Sequence, residues 1–307
     1  MSRKGFSRVI WLLAGAMVFL GGPGFSAETA GLRPLSTAAA SGTGWTTYHH
    51  DNSREGLDPN APGFAGGPFM TWNMTVDQSI YAEPLAYNGR VYVVTMGDSV
   101  YAFDAASGAS VWARTGAFSL GSPVTQSFCS FNPGHIGIMS TPVVDTSSNI
   151  LYAVGMVSAP SLRYRMFAVN IADGSNVSGF PVDLTPGGFV ASNQNQRAAL
   201  ALANGHVYVA FGGWLGDCGT YHPVVMSVPT SGGIVDHYYQ PQNGCQNGVG
   251  IWAPSGIAVD PLGSLYVATG NGTGCYGTSS YPCANSSWDR GDGDGDQLKL
   301  TRLDQRN

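Results

Sequence analysis

Three stretches of this chain combine aromatic rings with polar groups in the connections between apolar runs: Phe128 to His135, Trp214 to His222, and His237 to Trp252. A sugar, a peptide or a quinone needs rings to stack on and a few hydrogen-bonding groups beside them. His135, Trp214, Asp217, Tyr221, His222 and Trp252 are therefore the candidate ligand-binding residues, with Tyr221 and His222 the first choices for mutation. The competing reading is that Gly-Asp turns and rings simply close the rim of the fold. A fourth stretch alternates glycine with Asp292, Asp294 and Asp296 and invites a calcium reading, because a hard cation wants several carboxylate oxygens from one tight loop. The spacing fails at two points: Gln297 stands where such a loop needs glycine, and Leu303 where it needs an acid. Residues 291–307 are read instead as an irregular or out-of-frame tail, and no metal site is expected.

The five cysteines, Cys129, Cys218, Cys245, Cys275 and Cys283, all lie in long connections. Cys275 and Cys283 bracket a short loop and form the first candidate disulfide; Cys218 with Cys245 is the second; Cys129 either competes for a partner or stays free. No Cys-x-x-Cys and no histidine pair at helical ligand spacing is present, which argues against zinc. The absence of a Gly-x-Ser-x-Gly elbow, a His-Glu-x-x-His motif and a phosphate-cradling loop argues against hydrolase and nucleotide chemistry.

The elements that must position these connections are legible as a repeat. Tyr92, Tyr152, Tyr208 and Tyr266 stand 60, 56 and 58 residues apart, each inside a short apolar strand with glycine just beyond. An apolar run precedes each strand across a turn, and another follows in the first three units: Ser99 to Asp104, Arg165 to Asn170 and Val224 to Val228. A fourth, around Ser110 to Ala113, closes the first unit. Strands rich in Val, Tyr and Phe, separated by Gly, Ser, Asn and Pro, with no sustained helical period, predict an all-β chain. Four-stranded antiparallel sheets repeated at a steady interval cannot bury both faces alone and stack around an axis, so the expectation is a β-propeller. About four to five blades are present, in an incomplete ring, with the repeated tyrosines packed in the core and the small residues of their strands suited to an inner position.

The first residues, basic Met1 to Arg8, apolar Val9 to Leu20 and small residues up to Ala27, predict a signal peptide over 1–27. Residues 28–44 read as a flexible lead-in, 45–290 as the propeller and 291–307 as the tail. Removing 1–27 takes away three basic residues and no acidic ones, moving the formal charge from −5 to −8. Nucleic acid is thereby an unfavourable partner. The expected location is secreted or periplasmic, with no transmembrane anchor after cleavage, and disulfides are permitted there.

Tyr101-Ala-Phe-Asp-Ala-Ala-Ser-Gly-Ala-Ser-Val-Trp112 resembles the tryptophan-docking motif of pyrroloquinoline-quinone-type (PQQ-type) propellers, with Ala102, Asp104, Ser107, Gly108 and Trp112 in step. The resemblance implies that Trp112 packs between neighbouring sheets while Asp104 and Ser107 tie off the turn. Trp45 to Arg54 also looks like that family's lead into its first blade. The second unit departs from the motif, with Asn170 for the aspartate and Ser178 for the tryptophan. The resemblance further implies, for its enzymes, PQQ and calcium, adjacent cysteines, a catalytic aspartate, and Glu and Asn metal ligands. This chain has no Cys-Cys pair, and its glutamates are confined to 28, 55 and 83. It also resembles secreted bacterial propellers of the same repeat type, over Gly216 to His222, Gly250 to Trp252 and Ala268 to Gly272. The chain reads as a C-terminally truncated member. The leading expectation is an exported module that binds a protein or glycan ligand without evident catalytic residues; the alternative is a PQQ- and calcium-dependent oxidoreductase of alcohols or sugars.

Overall fold

The computed structural model describes residues 44–61, 70–116, 120–215, 218–235 and 250–269, with the short strands 237–239, 247–248, 272–273 and 299–303. The described residues are all-β, with a 3₁₀ turn at Ala191–Asn193. The first sheet is β1 (Leu85–Tyr87), β2 (Arg90–Val94), β3 (Val100–Asp104) and β4 (Ser110–Arg114); the second is β5 (Val143–Asp145), β6 (Ile150–Val157), β7 (Arg163–Asn170) and β8 (Val182–Asp183). The third is β9 (Ala201–Ala203), β10 (His206–Phe211), β11 (Val224–Pro229) and β12 (His237–Tyr239). All three are antiparallel meanders in chain order. A two-stranded pair joins β13 (Asn247–Gly248) to β16 (Gly272–Thr273), and the fourth sheet orders β14 (Ala258–Val259), β15 (Leu265–Thr269) and β17 (Lys299–Leu303). This is the propeller architecture. Lys299–Leu303, inside the stretch that the sequence reads as an irregular tail, runs antiparallel along Leu265–Thr269.

The hairpins follow from turn chemistry. Asn88-Gly89 and Asn204-Gly205 hold φ values of +52°, +71°, +55° and +74°, the left-handed pair that a two-residue turn matching the strand twist requires. Tyr92, Tyr152 and Tyr208 are buried in the layers between sheets. Their strands are second in each sheet, however, and it is the first strands that meet from sheet to sheet, β5 against β9 and β9 against β14. The small residues of the tyrosine strands therefore serve face-to-face stacking rather than an innermost position.

One segment closes the inner edges of all four sheets. Trp45 O accepts from Ala86 N (2.9 Å) and Thr46 O from Val144 N (2.8 Å), while Asn52 O accepts from Val259 N (2.9 Å) and Asn52 Nδ2 donates to Leu202 O (2.9 Å). A first strand has a free edge whose buried backbone groups need partners, and residues 45–54 supply them. Arg54 is the knot: its guanidinium donates to Thr47 Oγ1 (2.6 Å), Tyr48 O (3.0 Å), Leu200 O (2.9 Å) and Ile257 O (2.9 Å). Burial lowers its pKa to about 10, against the raising effect of Asp51 and Glu83.

Candidate functional site

Because each sheet is a meander, its connections alternate between two ends. One end has short turns. The other carries the spans 115–142, 184–200 and 212–223, together with residues 75–84 leading into β1. The sequence-selected aromatics gather at this long-connection end, and the structure shows what holds them. Trp214 is 1% exposed and stacks on Phe128 (4.9 Å between ring centres) and Phe131 (5.7 Å); Phe131 in turn meets the edge of Tyr81 (6.0 Å). Cys129 and Cys218 are joined by a disulfide, with Cα atoms 5.5 Å apart, and Ser130 N donates to Leu215 O (3.2 Å). This pairing replaces the expected Cys218–Cys245 bridge. The cause is tertiary: stacking the second and third sheets brings the β4–β5 connection against the β10–β11 connection, although the two cysteines lie 89 residues apart. Cys245, Cys275 and Cys283 lie outside the described residues, as does Asp217.

Tyr221 is 2% exposed, its ring against the Cα of Gly213, where a Cβ would come within 2.6 Å, and it meets Trp252 edge-on at 5.7 Å. Trp252 Nε1 donates to Gly213 O (3.0 Å). Gln194 binds the backbone of His222 on both sides, its nitrogen donating to His222 O (3.1 Å) and its oxygen accepting from His222 N (3.1 Å). Half-burial lowers the His222 pKa, keeping the imidazole neutral at neutral pH. His135 is partly exposed beside buried Ile136. Trp214 and Tyr221 thus lie in the interior of the rim, and His135, His222 and Trp252 retain accessible surface. The rim's exposed apolar groups include ones the sequence reading passed over: Ile80 (46% exposed), Tyr81 (51%), Val190 (51%) and Leu215 (66%).

Ala102 and Trp112 face the second sheet, whereas Asp104 and Ser107 lie in an exposed turn. Asp104 Oδ1 accepts from Ser107 N (2.8 Å) and Ser107 Oγ (2.7 Å), which hold its carboxyl below the ordinary range, and Gly108 turns at φ +73°. Ala102 is fully buried, opposite Trp112 in the ladder. Trp112 crosses to the second sheet, donating from Nε1 to Ile171 O (2.9 Å) over Gly174. The second sheet has no tryptophan to offer the third. There Gly179 and Gly232 bring the backbones together, with Gly233 N donating to Gly179 O (3.1 Å) and Tyr152 Oη to Thr230 O (3.1 Å).

Asp98, in the β2–β3 turn, was not legible as special. Its carboxylate is fully buried, neither oxygen has a hydrogen-bond partner among the described residues, and Gly121, Gly137 and Gly155 leave the room it occupies. Burial first, and the nearby Asp77 second, push its pKa well up. Asp77 accepts from Thr95 Oγ1 (2.8 Å) and Ser99 Oγ (2.5 Å), clasping the same turn.

PQQ with calcium needs convergent oxygen ligands beside the ring. Among the described residues no three His, Cys, Asp or Glu side chains converge. Glu83 accepts from Trp45 Nε1 and His49 N, and Glu55 is exposed. The described residues do not fit such a centre.

Residues 70–214 match the family model described as "Outer membrane protein assembly factor BamB". Over those residues the chain is similar to that family. Similar solved structures include the quinohemoprotein alcohol dehydrogenase of Comamonas testosteroni (TM-score 0.55, 15% identity, 75% of this chain and 36% of that one). A second is quinohemoprotein alcohol dehydrogenase from Pseudomonas putida HK5 (TM-score 0.50, 16% identity, 75% and 35%). The chain therefore spans about a third of the length of those structures, and at such identities the likeness is one of fold alone. No curated protein sequence matches the chain. Among its described residues no helix is long and apolar enough to cross a membrane.

Proposed function

We propose that this propeller is an exported protein-binding module that takes its partner at the long-connection end. The observation that carries the reading is the surface around the Cys129–Cys218 bridge, where Ile80, Tyr81 and Leu215 stay exposed beside a rigid stack of Phe131, Phe128 and Trp214. Exposed apolar side chains on a cross-linked base suit an apolar protein segment, and loops held by a stiff scaffold are where propellers bind. A glycan would instead ask for polar groups beside an open ring face. The description of the matching family, an assembly factor of outer-membrane proteins, points to an envelope protein as the partner. The disulfide supports export, since such bonds persist in oxidising compartments.

Photo-crosslinking groups placed at Tyr81, Leu215 and, on the short-turn end, Leu262 test this in intact producing cells. Discrete protein adducts from the first two positions and none from Leu262 are expected. Equal adducts from all three, none from any, or capture of glycan alone would overturn it. So would dye-linked oxidation of alcohols by the purified protein reconstituted with PQQ and calcium.

A further inference from the structure

Trp72 repeats on the first sheet the contacts that Trp112 makes on the second. Its Nε1 donates to Ala105 O (3.0 Å) and its ring lies over Gly108, where a Cβ would come within 2.7 Å; Trp112 bonds Ile171 O over Gly174, with the same 2.7 Å approach. Ala105 and Ile171 each follow the residue that opens the turn, Asp104 and Asn170, whose carbonyls accept from Gly108 N and Gly174 N (both 2.8 Å). Trp112 belongs to β4, the outermost strand of a complete sheet. Residues 70–74 consequently lie where the outermost strand of a preceding sheet would lie.

That sheet is not supplied by the described residues: no described strand pairs with 70–74, and Met70 (77% exposed) and Met74 (48%) face outward. Beneath this strap, Val93, Tyr101 and Phe103 form a small buried layer of their own with Val76. On the opposite flank, the fourth sheet shows three described strands, and no described strand pairs with the second edge of β17. Among the described residues, one flank shows an outer strand without inner ones, and the other shows inner strands without an outer one.

We infer that Met70 to Met74 of one copy completes the fourth sheet of a second copy of this chain, along β17. The contact continues an interface already present, since Trp72 is docked on the first sheet in the manner that joins sheet one to sheet two. The register follows from the tyrosines. Tyr92 pairs with Ala102 and Ala102 with Trp112, while Tyr266 pairs with Arg302; Trp72 accordingly falls opposite Arg302, and Asn73 opposite Thr301. Joining unlike surfaces makes the contact heterologous, so it either closes on itself or propagates. It does not rest on the binding surface proposed above.

The full chain is tested as isotope-labelled Asn73→Cys mixed with unlabelled Thr301→Cys under mild oxidation, with the native sequence and Leu262→Cys as controls for the other thiols. A labelled–unlabelled adduct whose peptide map places the bond between positions 73 and 301 is expected, together with a sedimentation mass above one copy. Trp72→Ala should weaken self-association by about tenfold or more while the far-ultraviolet spectrum stays that of β-sheet. A one-copy mass at all concentrations, an adduct equal to the Leu262 control, or a bond formed only within single molecules of the Asn73→Cys/Thr301→Cys double variant would each overturn the inference.

Discussion

Gly174→Ala separates the cost of backbone conformation from the cost of tryptophan docking. Gly174 holds φ +73°, and forcing alanine into that region costs about 1–2 kcal/mol. The added Cβ also lands 2.7 Å from Trp112 Cε3, 3.0 Å from Cδ2 and 3.1 Å from Cζ3. That ring cannot retreat cheaply, because its Nε1 is bonded to Ile171 O and it packs tilted against Tyr92 (6.2 Å). Overpacking of this kind costs a further ~1–3 kcal/mol, so the total loss is about 2–5 kcal/mol. Gly89 supplies the control. Its φ is +71°, and a Cβ there meets nothing within 4 Å, so Gly89→Ala bears the backbone term alone. Urea unfolding of both variants measures the two losses, with an unchanged m-value expected. In a Trp112→Ala background the Gly174→Ala loss should fall to the Gly89→Ala level, a coupling of about 1–3 kcal/mol. Equal losses at the two glycines, or no coupling to Trp112, would refute docking as the source of the added cost.

Arg54→Ala orphans the carbonyl of Ile257, leaves Leu200 O with only the long Thr47 Oγ1 bond (3.4 Å), and should cost about 2–5 kcal/mol in chemical unfolding. Arg54→Lys should recover only part of this, because an ammonium cannot reproduce the fork. Asp98 has a folded-state pKa raised above its ordinary 3.8, so the native protein holds a proton that the unfolded chain has released. Its contribution is fully present below that value and is lost as pH rises toward the folded-state pKa. Asp98→Asn should therefore gain stability relative to the parent as pH is raised from about 4 to 8, and a difference that stays constant across that range would exclude the carboxyl as its source. Reduction of Cys129–Cys218, or its replacement by serines, should lower stability by about 2–4 kcal/mol in unfolding curves taken with and without reductant.

The repeat was legible because strand chemistry is local. A tyrosine strand, its Asn-Gly turn and its flanking apolar runs lie within a few dozen residues of one another, and their pattern directly yields antiparallel hairpins. The motif from Ala102 to Trp112 was legible for the same reason. Its partner in the second sheet was obscured: Asn170 to Gly174 builds the same turn with different side chains, Asn170 Oδ1 accepting from Ala172 N (2.8 Å) and Asp173 Oδ1 from Ser175 N (2.9 Å) beside the shared backbone bond. Trp72 carried no sign of docking, since no copy of the motif that runs from Ala102 to Trp112 precedes it. The rim showed the sharpest difference. Trp214 and Tyr221 have the composition of a binding site, but Phe128, Phe131 and the bare Cα of Gly213 cover them.

From residue order alone came an all-β chain of repeated four-stranded hairpin units and the connections that differ among them. Tertiary structure alone decided which cysteines meet, that residues 45–54 bond the inner edges of four sheets, and that a buried aspartate fits a space left by three glycines. The division has one cause. Turn and strand preferences act between neighbours along the chain, whereas edge closure, disulfide choice and side-chain burial depend on groups that stacking brings together from distances of up to 207 residues, as between Asn52 and Val259.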